Sequence, residues 1–184
     1  RAQQYAQQVG DSLVSAASPQ RKKALVDFAL PRNIKKMQAD MQKYRITYDK
    51  WFFESTLHQN GDVQNTIDLL RQKGMTYESD GALWYKNREV LSKRLLAEGK
   101  TQEEIDKLEL KDDVLIRKNG SPTYFAADIA YHRNKLLTRG FDLCIDVWGA
   151  DHHGHVARMK GAMDAIGLDG DKLDVVLMQL VKLV

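Results

Sequence analysis

The hydrophobic pattern of the first half predicts helices and then a small sheet. Ser18-Pro19 supplies an N-cap and first-turn proline for a helix to about Leu30. Pro31 ends it, and Ile34, Met37, Met41 and Tyr44 mark the stripe of a second helix. Ile46–Phe53 alternates loosely and reads as a strand delivering Glu54 and Ser55 at its end. Asp62–Lys73 reads as a helix with Val63, Ile67 and Leu70 on its core face and Gly74 beyond its end. Thr76–Ser79 and Ala82–Lys86 flank Asp80-Gly81, and Val114–Lys118 precedes Asn119-Gly120. Both dipeptides favour type I′ hairpin turns, which predicts a small antiparallel sheet. Between them, Arg88–Lys111 is strongly charged and reads as a surface insertion. It carries a short helix at Thr101–Leu108, where Thr101 and Glu104 have capping-box spacing.

From Ser121 the pattern changes. A helix carries Tyr124 and Asp128, four residues apart and therefore on one face. The apolar run FDLCIDVW, Phe141–Trp148, lies between Gly140 and Gly149 and predicts a parallel strand buried on both faces. GADHHGH (149–155) follows at once, then a helix at Val156–Ile166 closed by Gly167, then an apolar strand at Leu173–Val184. Strand, helix, strand in this order predicts an α/β fold with a parallel sheet. Arg1 opens directly into helical pattern and the last strand stops inside an apolar run, so a segment of a longer chain is expected.

Composition adds three constraints. The 43% hydrophobic and 29% charged residues of this 184-residue chain describe an ordinary globular protein. No apolar segment approaches bilayer length and no secretory core opens the chain, so no membrane partner is expected. The single cysteine, Cys144, falls inside the predicted strand, which excludes an internal disulfide and points to a reducing compartment; a small buried hydrophobe is its expected role. The net charge of +3 is uneven: residues 1–47 hold nine Lys/Arg against three Asp/Glu, which permits nucleic-acid contact or a merely solvated helix face.

The candidate chemistry lies beyond the carboxyl end of the Phe141–Trp148 strand, where open α/β sheets bind ligands. Asp151, His152, His153 and His155 invite a metal reading, yet adjacent His152 and His153 diverge by about 100° on a regular helix. A nucleotide suits the same turn: Gly149 allows close approach, the helix start offers free amides, and Asp151 can accept from ribose hydroxyls. Solvent-facing histidines at a helix cap are the plain alternative. Glu54, Tyr124 and Asp128 form a second wall, and two carboxylates with a phenol suit a guanidinium. His132, one turn past Asp128, reads as a helix residue satisfied by its neighbours, and Asp142 and Asp146 read as structural. Trp51, Phe52, Trp84 and Tyr85 read as core, and Gln179, inside an apolar strand, calls for a buried partner.

TYFAADIAYHRNKL, then RGFDLCIDVWGADHHGHVARMKGAM and LDVVLMQLVKLV, resemble the catalytic core of the arginyl-tRNA synthetases. The upstream YDKWFFESTL and YESDGALWYK resemble that family in the same order, while Arg88–Lys111 matches weakly. The resemblance implies a class I, Rossmann-like catalytic half at 121–184, a helical segment at 1–47, a strand and loop at 48–60, and an insertion with helix and small sheet at 61–120. It implies that Glu54, Tyr124, Asp128 and His152 bind L-arginine, and that Gly149, Asp151 and His152 face ATP and its adenosine. It also implies ATP as a substrate with Mg²⁺, no protein-held metal, tRNA(Arg) as partner, a monomer and a cytoplasmic location. Neither a HIGH-type nor a KMSKS-type motif occurs in the chain, so its catalytic residues are unassigned and the polypeptide alone is expected to be inactive. The rival readings are a DHH-type metal-dependent phosphoesterase, which needs further acidic metal motifs, and a non-catalytic synthetase-like binding module.

Overall fold

The computed structural model describes residues 1–182, in two compact units, Arg1–Phe52 and Phe53–Val184. In the first unit, α1 (Ala2–Val9) contacts α2 (Ser18–Lys43). Their contact centres on Phe28, 9% exposed, whose ring meets Tyr5 edge-on at 5.0 Å. The predicted break at Pro31 is absent: α2 runs straight through it as one helix of 26 residues. Proline removes only one N–H and crowds one turn. Beside it, the Arg32 guanidinium donates to the Phe28 carbonyl at 2.7 Å and lies 3.6 Å over the Phe28 ring.

The strand expected at Ile46–Phe53 is absent too. Those residues are irregular, with Ile46 exposed and Trp51 and Phe52 half-buried, so Trp51 and Phe52 are not core. A loose alternation without a pairing neighbour gives no ladder. Glu54 instead opens a helix, α3 (Glu54–Gln59).

The second unit combines two sheets with helices between them. Helix α4 (Asp62–Gln72) buries Val63, Thr66, Ile67 and Leu70, the predicted face. β1 (Thr76–Ser79), β2 (Ala82–Tyr85) and β3 (Asp113–Ile116) form an antiparallel sheet in that order. The β1–β2 turn is the expected type I′, with positive φ at both Asp80 and Gly81. The second turn differs: only Gly120 has positive φ, and Gly120 N–H to Arg117 O with Arg117 N–H to Ser121 O makes a type I turn with a glycine bulge. The chain beyond it returns only as a single bridge, Ile116 to Pro122.

Residues 88–111 are not a purely peripheral insertion. Helix α5 (Asn87–Ala97) buries Leu91 and packs on α8 (His153–Ala165), and Arg94 ties it to Asp164 at 2.7 Å and to Asp171. The charge that suggested a solvated surface is thus spent partly on ion pairs across a packed interface. Helix α6 (Gln102–Asp106) starts with the predicted capping box, Thr101 and Glu104 each bonding the other's backbone.

β4 (Cys144–Gly149) and β5 (Leu173–Met178) pair in parallel through α8, with Cys144 opposite Leu173 and Gly149 opposite Met178. The strand is shorter than the apolar run, because 141–143 form the approach, and it is not buried on both faces. Cys144 and Leu173 are buried, whereas Ile145, Val147, Val176 and Met178 are exposed. Two-sided burial needs layers on both faces. Gln179 lies past β5, exposed and in need of no buried partner; the expected strand's final residues, 183 and 184, lie outside the described residues. The architecture is mixed α/β, with a parallel pair and an antiparallel three-stranded sheet. Among the described residues, no helix is long and apolar enough to cross a membrane.

Candidate functional site

Three elements converge at the carboxyl end of β4. The first is α7 (Tyr124–Arg133), started by Thr123, whose hydroxyl accepts from the Ala126 N–H and donates to the Val114 carbonyl. This side chain fastens the helix start to β3. Phe125, Ala126, Ile129 and Ala130 are buried, which leaves Tyr124 (77% exposed) and Asp128 facing outward. The second element is the short 3₁₀ turn Ala150–His152, and the third is α8 itself.

One network anchors α7 to β4. Both ring nitrogens of His132 meet oxygen acceptors at 2.8 Å, the Asp128 carbonyl and the Asp146 carboxylate. His132 is 3% exposed, and Lys135 donates to the other Asp146 oxygen at 2.7 Å. Burial alone would push the Asp146 carboxyl up; the hydrogen bonds from His132 and Lys135 outweigh it and hold it below the usual range. The readings of His132 as internally satisfied and of Asp146 as structural both agree with this geometry. Lys135 belongs to a π-helical turn, Asn134–Thr138, that extends α7 and brings the ammonium to the strand.

A second network reaches the outward face of α7. The His155 Nε2 lies 3.4 Å from the Asp128 carboxylate, joining the two predicted walls. Arg158 places an Nη 2.6 Å from His155 Nδ1 and donates from its other Nη to Asp113 on β3 at 2.8 Å. The His155 ring is sandwiched, 5.7 Å from Phe125 and 5.2 Å from Trp148. Burial raises the Asp113 carboxyl above the usual range, opposed by the Arg158 charge. The roles of Arg158, Asp113, Trp148 and Phe125 went unread in the sequence. Only Arg158 carried a signal, its helical spacing of three from His155.

The remaining predicted residues lie around this junction with less contact. Glu54 starts α3, which packs on α7, and its carboxylate is 3.6 Å from His58 on its own helix. Asp151 is 82% and His152 60% exposed, 3.8 Å apart. His152 is the N-cap position of α8 but makes no side-chain cap bond; it faces solvent as the plain reading had it without capping, and the first amide of α8, that of His153, is taken by the Ala150 carbonyl. Gly149 has an ordinary φ of −67°, and an added Cβ there would collide with the Asp151 carboxylate. The atom it would meet is the tip of the exposed Asp151 side chain, which can swing aside, so neither fixed neighbours nor backbone conformation demands glycine here. Among the described residues, no three His, Cys, Asp or Glu side chains gather as metal ligands. Cavities of about 530 and 560 Å³ lie elsewhere, between β1, α5 and α6 and between α5 and α8. The site is an open shelf.

No family model matches the chain. Curated relatives align along its length. It is 50% identical over 184 residues to the arginine–tRNA ligase of Caldanaerobacter subterraneus, covering all of this chain and 30% of that protein. It is 52% identical over 174 residues to that of Ruminiclostridium cellulolyticum, covering 95% of this chain and 28% of the relative. Among solved structures, an arginyl-tRNA synthetase assignment from Campylobacter jejuni superposes with a TM-score of 0.75 at 28% identity, covering 97% of this chain and 35% of that one. The Thermus thermophilus arginyl-tRNA synthetase, at 18% identity and a TM-score of 0.68, shares the fold over the same shares of the two chains. The chain thus spans about 30% of the length of the curated relatives it matches. Along that span it is similar, in sequence and in fold, to arginyl-tRNA synthetases.

Proposed function

We propose that this segment forms the amino-acid pocket and one side of the nucleotide site of an arginyl-tRNA synthetase. The parent reaction activates L-arginine with ATP to arginyl-adenylate and transfers it to tRNA(Arg). The observation that carries this reading is the junction at the end of β4. There, the half-exposed Asp128 carboxylate lies 3.4 Å from His155 in the first turn of α8, which directly follows the Gly149-led turn proposed to face the nucleotide. Asp128 accepts the guanidinium, Glu54 and Tyr124 add a second carboxylate and a phenol on neighbouring elements, and His152 lies between the two ligands. Gly149 and Asp151 face the adenosine. Mg²⁺ arrives with the ATP phosphates. Two residues of the reading, Glu54 and Tyr124, are supported by placement alone.

In this scheme the protein positions groups and the arginine carboxylate attacks the α-phosphorus. Asp128 supplies discrimination, since a lysine satisfies fewer of the carboxylate's acceptor sites than a forked guanidinium. Replacing the carboxylate removes a charged pair worth about 3 kcal/mol, roughly a 150-fold change in affinity. Asp128→Ala in the full-length synthetase should therefore raise the arginine KM about 100-fold, with the ATP KM nearly unchanged, in arginine-dependent pyrophosphate exchange. An unchanged arginine KM removes Asp128 from the pocket.

A further inference from the structure

We infer that His155, locked by Arg158 and Asp113, is a positioning residue that orients Asp128 and keeps added positive charge out of the arginine pocket. The inference rests on the reading of Asp128 as the guanidinium acceptor and adds the partners that make it selective.

The chain of contacts fixes the ring. Arg158 has only donors, so His155 Nδ1, 2.6 Å from its Nη, must offer a lone pair. The proton then sits on Nε2, the nitrogen 3.4 Å from the Asp128 carboxylate. A ring protonated on both nitrogens would set two cations against each other at this contact. His155 thus presents an uncharged N–H to Asp128, which aims the carboxylate without neutralising it. The guanidinium that enforces this tautomer has its own charge matched by Asp113 at 2.8 Å. Its guanidinium carbon also lies 5.3 Å from the Phe125 ring, with the imidazole between it and Asp128. The net result is one unmatched carboxylate facing outward from α7, the electrostatic condition for preferring a cationic side chain.

The ring has little freedom to leave. It is 14% exposed and held between Phe125 and Trp148. One turn further along α7, His132 donates to the Asp128 carbonyl, so backbone and carboxylate of this one residue are each held by a histidine, one from its own helix and one from α8.

The test compares variants of the full-length synthetase in arginine-dependent pyrophosphate exchange, with Asp128→Ala alongside. His155→Leu keeps apolar bulk between the two rings and removes both nitrogens. It should raise the arginine KM about tenfold while the ATP KM stays within twofold. His155→Gln, whose amide can accept from Arg158 and donate to Asp128, should restore the arginine KM to within about threefold of the parent. Arg158→Lys, which replaces two separate Nη donors to Asp113 and His155 by one ammonium nitrogen, should repeat the His155→Leu pattern and guards against a folding defect in that variant. A merely structural role would lower kcat and raise the arginine and ATP KM values together, with no rescue by glutamine. The inference falls if folded His155→Leu and Arg158→Lys leave the arginine KM within twofold while Asp128→Ala raises it. If Asp128→Ala itself has no effect, the arginine pocket falls first and this inference with it.

Discussion

Asp146→Asn is the substitution that most directly tests how the site is held in place. The wild-type carboxylate receives His132 and Lys135 at 2.8 and 2.7 Å, with all three side chains between 3% and 13% exposed. Asparagine keeps one acceptor oxygen and turns an NH₂ toward the second donor. Breaking a buried charged pair from one side costs about 3–5 kcal/mol. The retained acceptor recovers part of that, so the expected loss is about 3 kcal/mol, or roughly 10 °C in Tm for a unit of this size. The pH dependence follows from the depressed native pKa of Asp146. A carboxyl lowered on folding contributes stability that is fully present above its unfolded value, about 3.9, and lost as pH falls through the lower native value. The part of the gap that Asp146 contributes should therefore be fully present above about pH 4 and shrink as the pH falls below it. Urea unfolding of the chain, followed by circular dichroism across that range, measures it, with the exposed Asp142→Asn as a control expected to change stability by under about 0.5 kcal/mol. A loss below about 1 kcal/mol, or a gap that persists undiminished at pH 3, refutes the reasoning.

Two further outcomes follow from single side chains. Tyr85 is fully buried with its hydroxyl unpartnered, and burial raises its pKa further. Because a buried unsatisfied donor costs about 1–3 kcal/mol, Tyr85→Phe should stabilise the chain by about 1 kcal/mol in urea unfolding, and a destabilisation would reveal a partner for the hydroxyl. An added Cβ at Gly170 would stand 2.5 Å from the Lys160 carbonyl, backbone that cannot swing aside. Gly170→Ala should therefore cost about 2 kcal/mol. Gly154→Ala, in α8 with nothing near its Cβ, should gain roughly 0.5–1 kcal/mol, and equal effects at the two positions would contradict the contrast.

What the sequence disclosed depended on how local the cause was. The capping box at Thr101 and the type I′ turn at Asp80-Gly81 are contained within a few residues, and both form as expected. Asn119-Gly120 carries the same kind of signal but only half of it is used, since the following chain turns into α7 and not into a paired strand. Pro31 misleads because one proline removes a single hydrogen bond, a loss that a helix of 26 residues absorbs. The β4 sequence predicted a strand correctly but not its exposure, because burial depends on which layers cover it. Tyr124 and Asp128 were legible as one helical face, and GADHHGH as the turn after a strand. The contact of His155 with Asp128, 27 positions apart, could not be read from spacing; it exists because α7 and α8 pack together.

The two histidines that hold Asp128 show how neighbours, not residue type, assign their roles. His132 lies between a carbonyl and a carboxylate, so both of its nitrogens donate, and the positive charge this requires is placed beside Asp146. That charge lies on the strand side of α7, where Asp146 answers it. His155 lies between a guanidinium and a carboxylate, so one nitrogen accepts and the other donates, and the ring adds no charge where the ligand would enter. Exchanging these environments would reverse the electrostatics: a doubly donating ring at 155 would satisfy Asp128 before any substrate arrived. The selectivity proposed for this site thus depends on Arg158, a cation that keeps a neighbouring histidine neutral and whose own charge is held by Asp113.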